Sequence, residues 1–217
     1  MCVGMENSKE NRLYRYTNVT SLIDVLLHKH ITLLNPEDWD DKNDTAYMER
    51  YRKLKGLKTL LALCLTESDE TYHHWSIFAG RSDGVRIEFN KDKLLKHFLY
   101  SDFDEASQRT QHGRVNYHPI SKKTSHDVPI SKLPFMKRLP YKDEREFRLL
   151  FEDQKNNLNF WNVPISINCI ERITLSPWIP RSLARSLKTT LKNIQGCSRL
   201  KIYHSTLVYN KNWIKFN

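Results

Sequence analysis

The chain has 217 residues, a formal net charge of +10 at pH 7, and 39% hydrophobic, 28% charged and 11% aromatic residues. That length suits one well-buried core, and that aromatic content excludes a disordered chain. The longest apolar stretch, residues 60–65, is strand-sized, and residues 1–12 are polar, so neither a membrane span nor a secretory signal is expected and the compartment reads as cytoplasmic.

Residues 13–17 (LYRYT) read as a strand, and the apolar spacing Val19, Leu22, Ile23, Leu26, Leu27 predicts a helix to residue 30, with Asn18 or Thr20 as its N-cap. A β-branched segment at 31–34 ends at the turn pair Asn35-Pro36. An acidic loop at 37–44 then leads to a polar helix at 47–54. The apolar run 60–65 is expected as a buried strand and 71–79 as a short helix with Tyr72, Trp75 and Phe78 on one side. Alternation of Val85, Ile87 and Phe89 against Arg86 and Glu88 predicts a half-exposed strand at 84–89, followed by an amphipathic helix at 91–100. Beyond it lie a strand at 115–117, a Ser/Lys/His-rich loop to His126, a short helix at 130–137, strands at 144–151 and 169–175, a helix at 180–195 stopped by Gly196, and a last strand at 200–208. Without regular βαβ alternation or repeats, the fold class is α+β. The expected layout is a single domain over 13–217, with a mixed or antiparallel sheet flanked by helices, behind a polar tail at 1–12.

The charge is lopsided. Residues 154–217 hold ten Lys or Arg against one acid, Glu171. Such a field speeds encounter with polyanions, and equally well serves as a solvated face. Within it, Arg181, Arg185, Lys188 and Lys192 recur every three or four residues and form an outward ridge on the 180–195 helix, opposite a stripe of Leu183, Ala184, Leu187, Leu191 and Ile194. Phosphates are the natural partners of that ridge. The four cysteines, Cys2, Cys64, Cys169 and Cys197, lack metal-ligand spacing and read as reduced thiols.

Chemistry concentrates at 141–148 (YKDEREFR). On a strand, Glu144, Glu146 and Arg148 would share one face, and two carboxylates so placed repel, which raises one pKa unless a cation compensates. Such a pair suits acid/base work or support of a cationic transition state; a solvated Glu–Arg ladder is the alternative. Arg15 between Tyr14 and Tyr16 reads as a phosphate or carboxylate reader, or as an edge-strand arginine. Trp75 beside Ser76 could stack a flat ring, or be core. The acids Glu37, Asp38, Asp40, Asp41 and Asp44 lack the Gly and distal Glu of a calcium loop, and Asn43-Asp44 reads as a helix cap. No phosphate-cradling loop, nucleophile elbow or zinc-protease motif occurs.

The order of these pieces resembles a bacterial family catalogued as domain of unknown function 2971 and associated with phage-defence and abortive-infection genes. The pieces are Leu13-Tyr14-Arg15-Tyr16, residues 31–36 leading to Asn43-Asp44, Trp75 with Phe78-Ala79, Gly84, Glu88-Phe89, and Tyr141 with Glu144, Glu146 and Arg148. The sequence departs from the pattern at Asp40-Asp41-Lys42 and in carrying Phe78 where the family has Tyr. The family's layout in turn resembles that of ADP-ribosyltransferases. That resemblance implies NAD as substrate and no metal. It implies that Arg15 grips the pyrophosphate, that Tyr16, Trp75 and Ser76 wall the nicotinamide half, that Arg148 helps bind the cofactor, that Glu146 steadies the cationic ribose, and that Glu144 positions the acceptor. The function it implies is an effector or toxin in anti-phage defence, modifying a nucleic acid or a nucleic-acid-bound protein and kept with an antitoxin or defence partner. A non-catalytic nucleic-acid-binding module built on Arg181, Arg185, Lys188 and Lys192 is the second expectation, and a metal-dependent nuclease on residues 38–44 the third.

Overall fold

The computed structural model describes residues 11–100, 109–119 and 128–215. Residues 1–10 of the tail, Cys2 among them, and the Ser/Lys/His-rich loop therefore lie outside the described residues, and Arg12 already belongs to the first strand. In chain order the strands are β1 (Arg12–Asn18), β2 (His30–Leu34), β3 (Thr59–Thr66), β4 (Gly84–Asn90), β5 (Thr110–Arg114), β6 (Asn116–His118), β7 (Met136–Arg138), β8 (Glu146–Asp153), β9 (Phe160–Pro164), β10 (Ile170–Leu175) and β11 (Ile202–His204). Helices span Val19–His28, Lys42–Leu54, Tyr72–Phe78, Lys91–Leu99, Arg181–Asn193 and Lys211–Ile214. The expected α+β class, with a mixed sheet flanked by helices, is what the structure contains. The chain divides into two compact units that interleave in sequence.

The first unit draws on Met1–His30, Ser68–Lys96 and Pro164–Asn217. Its strands run in the order β11-β10-β4-β1; β1/β4 and β4/β10 are antiparallel, and β10/β11 is parallel. Register pairs share a face. One face therefore carries Leu13, Val85, Ile87, Phe89, Ile173 and Leu175, all buried, and the helix Val19–His28 packs on β1 and β4 with Leu22, Val25 and Leu26 inward. That helix starts where the Asn18 side chain accepts the Ser21 N–H at 2.8 Å, and it ends at Lys29 in left-handed backbone. The other face carries Tyr14, Tyr16, Arg86, Glu88 and Thr174. Tyr72–Phe78 packs against β1, so β4 is buried on both faces rather than half exposed as expected. Gly84 opens β4 because a Cβ there would stand 2.6 Å from the Ala79 carbonyl.

The second unit, Ile31–Glu67 with His97–Val163, holds β8 between β5 and β3, all antiparallel, with β2 beside β3 and β9. A parallel β6–β7 pair stands apart. Met48, Tyr51, Leu57, Leu60, Ala62, Leu133 and Leu150 form a core under the helix Lys42–Leu54, and each fully buried Leu is worth about 1.5–3 kcal/mol.

Some expected boundaries shift. The polar helix begins at Lys42, inside the supposed acidic loop, because Asp41 caps it by accepting the Asn43 N–H at 3.0 Å. Residues 130–135 are 3-10 helix and Met136–Arg138 is strand. Glu144 ends a 3-10 turn, so β8 starts at Glu146. The last strand stops at His204, and Leu183 on the basic helix is 57% exposed rather than inward.

Candidate functional site

In the second unit, charges gather at the start of β8. Glu146, Arg148 and Asp44 are buried, and Lys137 is nearly so. An arginine has five N–H donors, and Arg148 matches all of them. Nε meets Glu146 Oε1 at 2.7 Å, Nη2 meets Glu146 Oε2 at 3.0 Å and Asp44 Oδ2 at 2.5 Å, and Nη1 meets Asp44 Oδ1 at 2.9 Å and the Pro134 carbonyl at 2.7 Å. Trp39 closes it from the side, 4.9 Å from the guanidinium. The expectation that Arg148 binds a cofactor is therefore corrected: no donor is left, and its role is to hold Glu146.

Glu144 does not share the strand face with Glu146. Arg145 between them takes left-handed backbone (φ 43), turning the chain, and the two acids meet instead on Lys137, whose Nζ lies 2.6 Å from Glu144 and 3.3 Å from Glu146. Burial would push the Glu146 carboxyl up, but Arg148 and then Lys137 outweigh it, and its pKa is held down to about 2. Burial wins at Glu144, which is raised despite Lys137. Burial also works against a charged Lys137, yet Glu146 and Glu144 hold that ammonium above its ordinary range. The two carboxylates thus shift in opposite directions, Glu144 chiefly through burial rather than through the repulsion on a shared strand face expected from the sequence.

This has a measurable consequence. A carboxylate with a folded pKa below its unfolded value contributes stability above the unfolded value, near 4.5, and loses it as pH falls through the folded value. The urea midpoint is expected to drop between pH 5 and pH 2.5, and to drop less in a Glu146→Gln variant. Equal drops would contradict the assignment.

Cys64, missed in sequence, pairs in register with Arg148 and stands beside Glu146. Its thiol titrates well above the ordinary range, first because protein surrounds it and then because of the Glu146 carboxylate; the residue is nonetheless exposed. The exposed Cys64 brings solvent to the neighbourhood of Glu146. No sequence signal distinguished Cys64 from an inert core thiol.

In the first unit, Tyr16 meets Trp75 edge-on at 5.2 Å and His74 at 5.2 Å. Trp75 is fully buried, with its indole N–H on Glu70 at 2.7 Å, and Glu70 also accepts from Ser205 at 2.5 Å. Ser76 is exposed. Arg15 pairs with Ile87, so it stands on the sheet face opposite Tyr16 and Trp75 and does not join them as expected. The guanidinium on the Tyr16 side is Arg86, which is buried, 4.8 Å from the Tyr14 ring, with Nε unbonded. Burial, outweighing Arg86, raises Tyr16 to about 12. In sequence, Arg86 looked like the polar side of an alternating strand; only the register shows it inside.

Arg181, Arg185 and Lys188 line one groove of about 370 Å³ with Leu175, Ala184, Ile202, Tyr203 and His204, while Lys192 stands outside it. Of the acids at 38–44, Asp41 is occupied in capping and Asp44 in the Arg148 pair. Among the described residues no group of three or more His, Cys, Asp or Glu could hold a metal ion. No helix of the described residues is long and apolar enough to cross a membrane.

No protein-family model and no curated protein matches the chain. Among solved structures, the chain is similar to DarT of Thermus sp. 2.9 in complex with carba-NAD+ and to the same protein with NAD+, each at 10% identity and TM-score 0.46, over 92% of this chain and 98% of that one. The structure of Thermus sp. 2.9 DarT with ADP-ribosylated ssDNA gives the same identity and TM-score over 92% and 96%. At that level of likeness no residue role passes from those chains to this one.

Proposed function

We propose that the protein is an NAD-dependent ADP-ribosyltransferase whose acceptor is a nucleic acid or a nucleic-acid-bound protein. The observation that carries this reading is Glu146: a carboxylate kept ionised by Arg148 and Lys137 beside the exposed Cys64. In the reaction, the bond from the ribose anomeric carbon to nicotinamide nitrogen breaks, its electron pair leaves with nicotinamide, and positive charge develops on the sugar. An acceptor nitrogen or oxygen then attacks that carbon and gives up a proton. The positive charge that NAD carries on its pyridinium ring moves to the sugar as the bond breaks, so a fixed, water-poor negative charge near the sugar favours the transition state over the ground state, which is the condition for catalysis. Counting Asp44, Glu144 and Glu146 against Lys137 and Arg148, the cluster keeps one net negative charge when all are ionised. Glu144, joined to Glu146 through the same lysine and with a raised pKa, would take the acceptor's proton.

The sequence resemblance supports a role as effector or toxin in anti-phage defence, held in check by an antitoxin or defence partner. Adenine-labelled NAD incubated with the protein and cell extract is expected to leave label on macromolecules, released by nuclease or protease according to acceptor. Wild-type protein that transfers no label and releases no nicotinamide would refute the proposal. A second measurement reads occupancy alone. Cys169 and Cys197 are buried and Cys64 exposed, so slow alkylation by iodoacetamide, followed on the Cys64 peptide, is expected to slow at least threefold with saturating NAD. An unchanged rate would place NAD elsewhere.

A further inference from the structure

We infer that the groove beside the helix Arg181–Asn193 is a binding track for single-stranded nucleic acid, read by base stacking as well as by charge. Three features, all in the first unit, combine there. Arg181, Arg185 and Lys188 line it from the helix, and none of them has an ion-pair partner among the described residues. Such cations suit the repeating phosphates of a strand. Next, β11 is the last strand in its sheet order, and Tyr203 and His204 on it line the same groove. Tyr203 is 53% exposed, with the Arg172 guanidinium 5.3 Å from its ring, and Tyr209, also 53% exposed, has Arg181 at 5.9 Å. Arginine set against an exposed tyrosine is how a protein offers one base a flat partner and its phosphate a cation. The third feature is unspent polarity: His204, which lines the groove, leaves Nε2 buried without a hydrogen-bond partner, and a base edge or sugar hydroxyl would satisfy it.

A double helix presents phosphates but keeps its base faces stacked, so it can use the cations and not the tyrosines. An acidic peptide can likewise use only the cations. The chemistry here therefore favours an unpaired strand over both. Lys192, which lies outside the groove, is not part of the track. The inference stands apart from the proposed transferase activity, and binding itself does not depend on that activity.

The test uses the full chain and a fluorescent 20-nucleotide single strand, its duplex, and polyglutamate as competitor, read by anisotropy. The single strand is expected to bind at least tenfold tighter than the duplex, with affinity falling as salt rises at a slope near two, set by about three phosphate contacts. Charge reversal at Arg185→Glu with Lys188→Glu is expected to lower affinity at least 30-fold. Tyr203→Leu, which leaves every charge in place, is expected to lower it about 5- to 150-fold, the worth of one stacked base. Both sites are exposed, so circular dichroism and urea midpoints should match wild type. Duplex binding as tight as single strand, polyglutamate competing as well as nucleic acid, or Tyr203→Leu binding like wild type would each overturn the inference. Loss of nicotinamide release in Glu146→Gln with strand binding intact would separate this site from the catalytic one.

Discussion

Replacing Arg148 by Met is expected to destabilise the protein by about 3–5 kcal/mol, because it leaves two buried carboxylates without their cation. Arg148 is 0% exposed, and Asp44 and Glu146 are 3% and 6% exposed, so water cannot replace the guanidinium without opening the unit. Lys137 lies 3.7 Å from Asp44 and 3.3 Å from Glu146 and can offset only part of the loss. The measurement is the urea midpoint at pH 7. The same chemistry predicts a rescue: adding Asp44→Asn and Glu146→Gln to Arg148→Met removes the orphaned charges and should recover at least half of the lost stability. A loss under 1 kcal/mol for the single variant, or no recovery in the triple, would show that the cluster is wetter than its burial implies.

Much of the framework was legible because periodicity and caps are local. The alternation at 84–89, the apolar run at 60–65 and the Asn18 cap each predicted an element that exists. What failed was long-range. β5 and β9 carry little apolar alternation in sequence (TQHGR and FWNVP) and exist because β8 and β2 offer them hydrogen-bonding edges. Asp44 looked like a cap because the stretch Asp41-Lys42-Asn43-Asp44 offers several capping side chains. Asp41 takes that role, and Asp44, one turn on, faces an arginine 104 residues away. A strand pattern correctly put Glu146 and Arg148 on one face but extended it back to Glu144, where the left-handed Arg145 breaks it. Likewise, Arg15 was singled out for standing between tyrosines, although alternation itself sends it to the other side. Arg86 arrives beside Tyr16 only through the register of β1 with β4. Charge pattern was the most durable guide to the surface: three of the four ridge cations line the groove.

The second large effect is catalytic. Glu146→Gln preserves size and one acceptor oxygen while removing the negative charge, so it isolates the electrostatic contribution to the sugar cation. Loss of one such preorganised group costs about 100- to 1,000-fold in rate. With its pKa near 2, Glu146 is ionised throughout the working range, so wild-type activity should show no acid limb from this group above pH 4. An acid limb above the ordinary carboxylate range would belong to Glu144, which burial raises, and should vanish in Glu144→Gln while the Glu146 dependence persists. Nicotinamide released from NAD by wild-type and Glu146→Gln protein, at equal concentration and with urea midpoints recorded alongside, tests the central claim most directly. The account predicts release by the wild type and at least a 100-fold lower rate in the folded variant; a variant within threefold of wild type would contradict it.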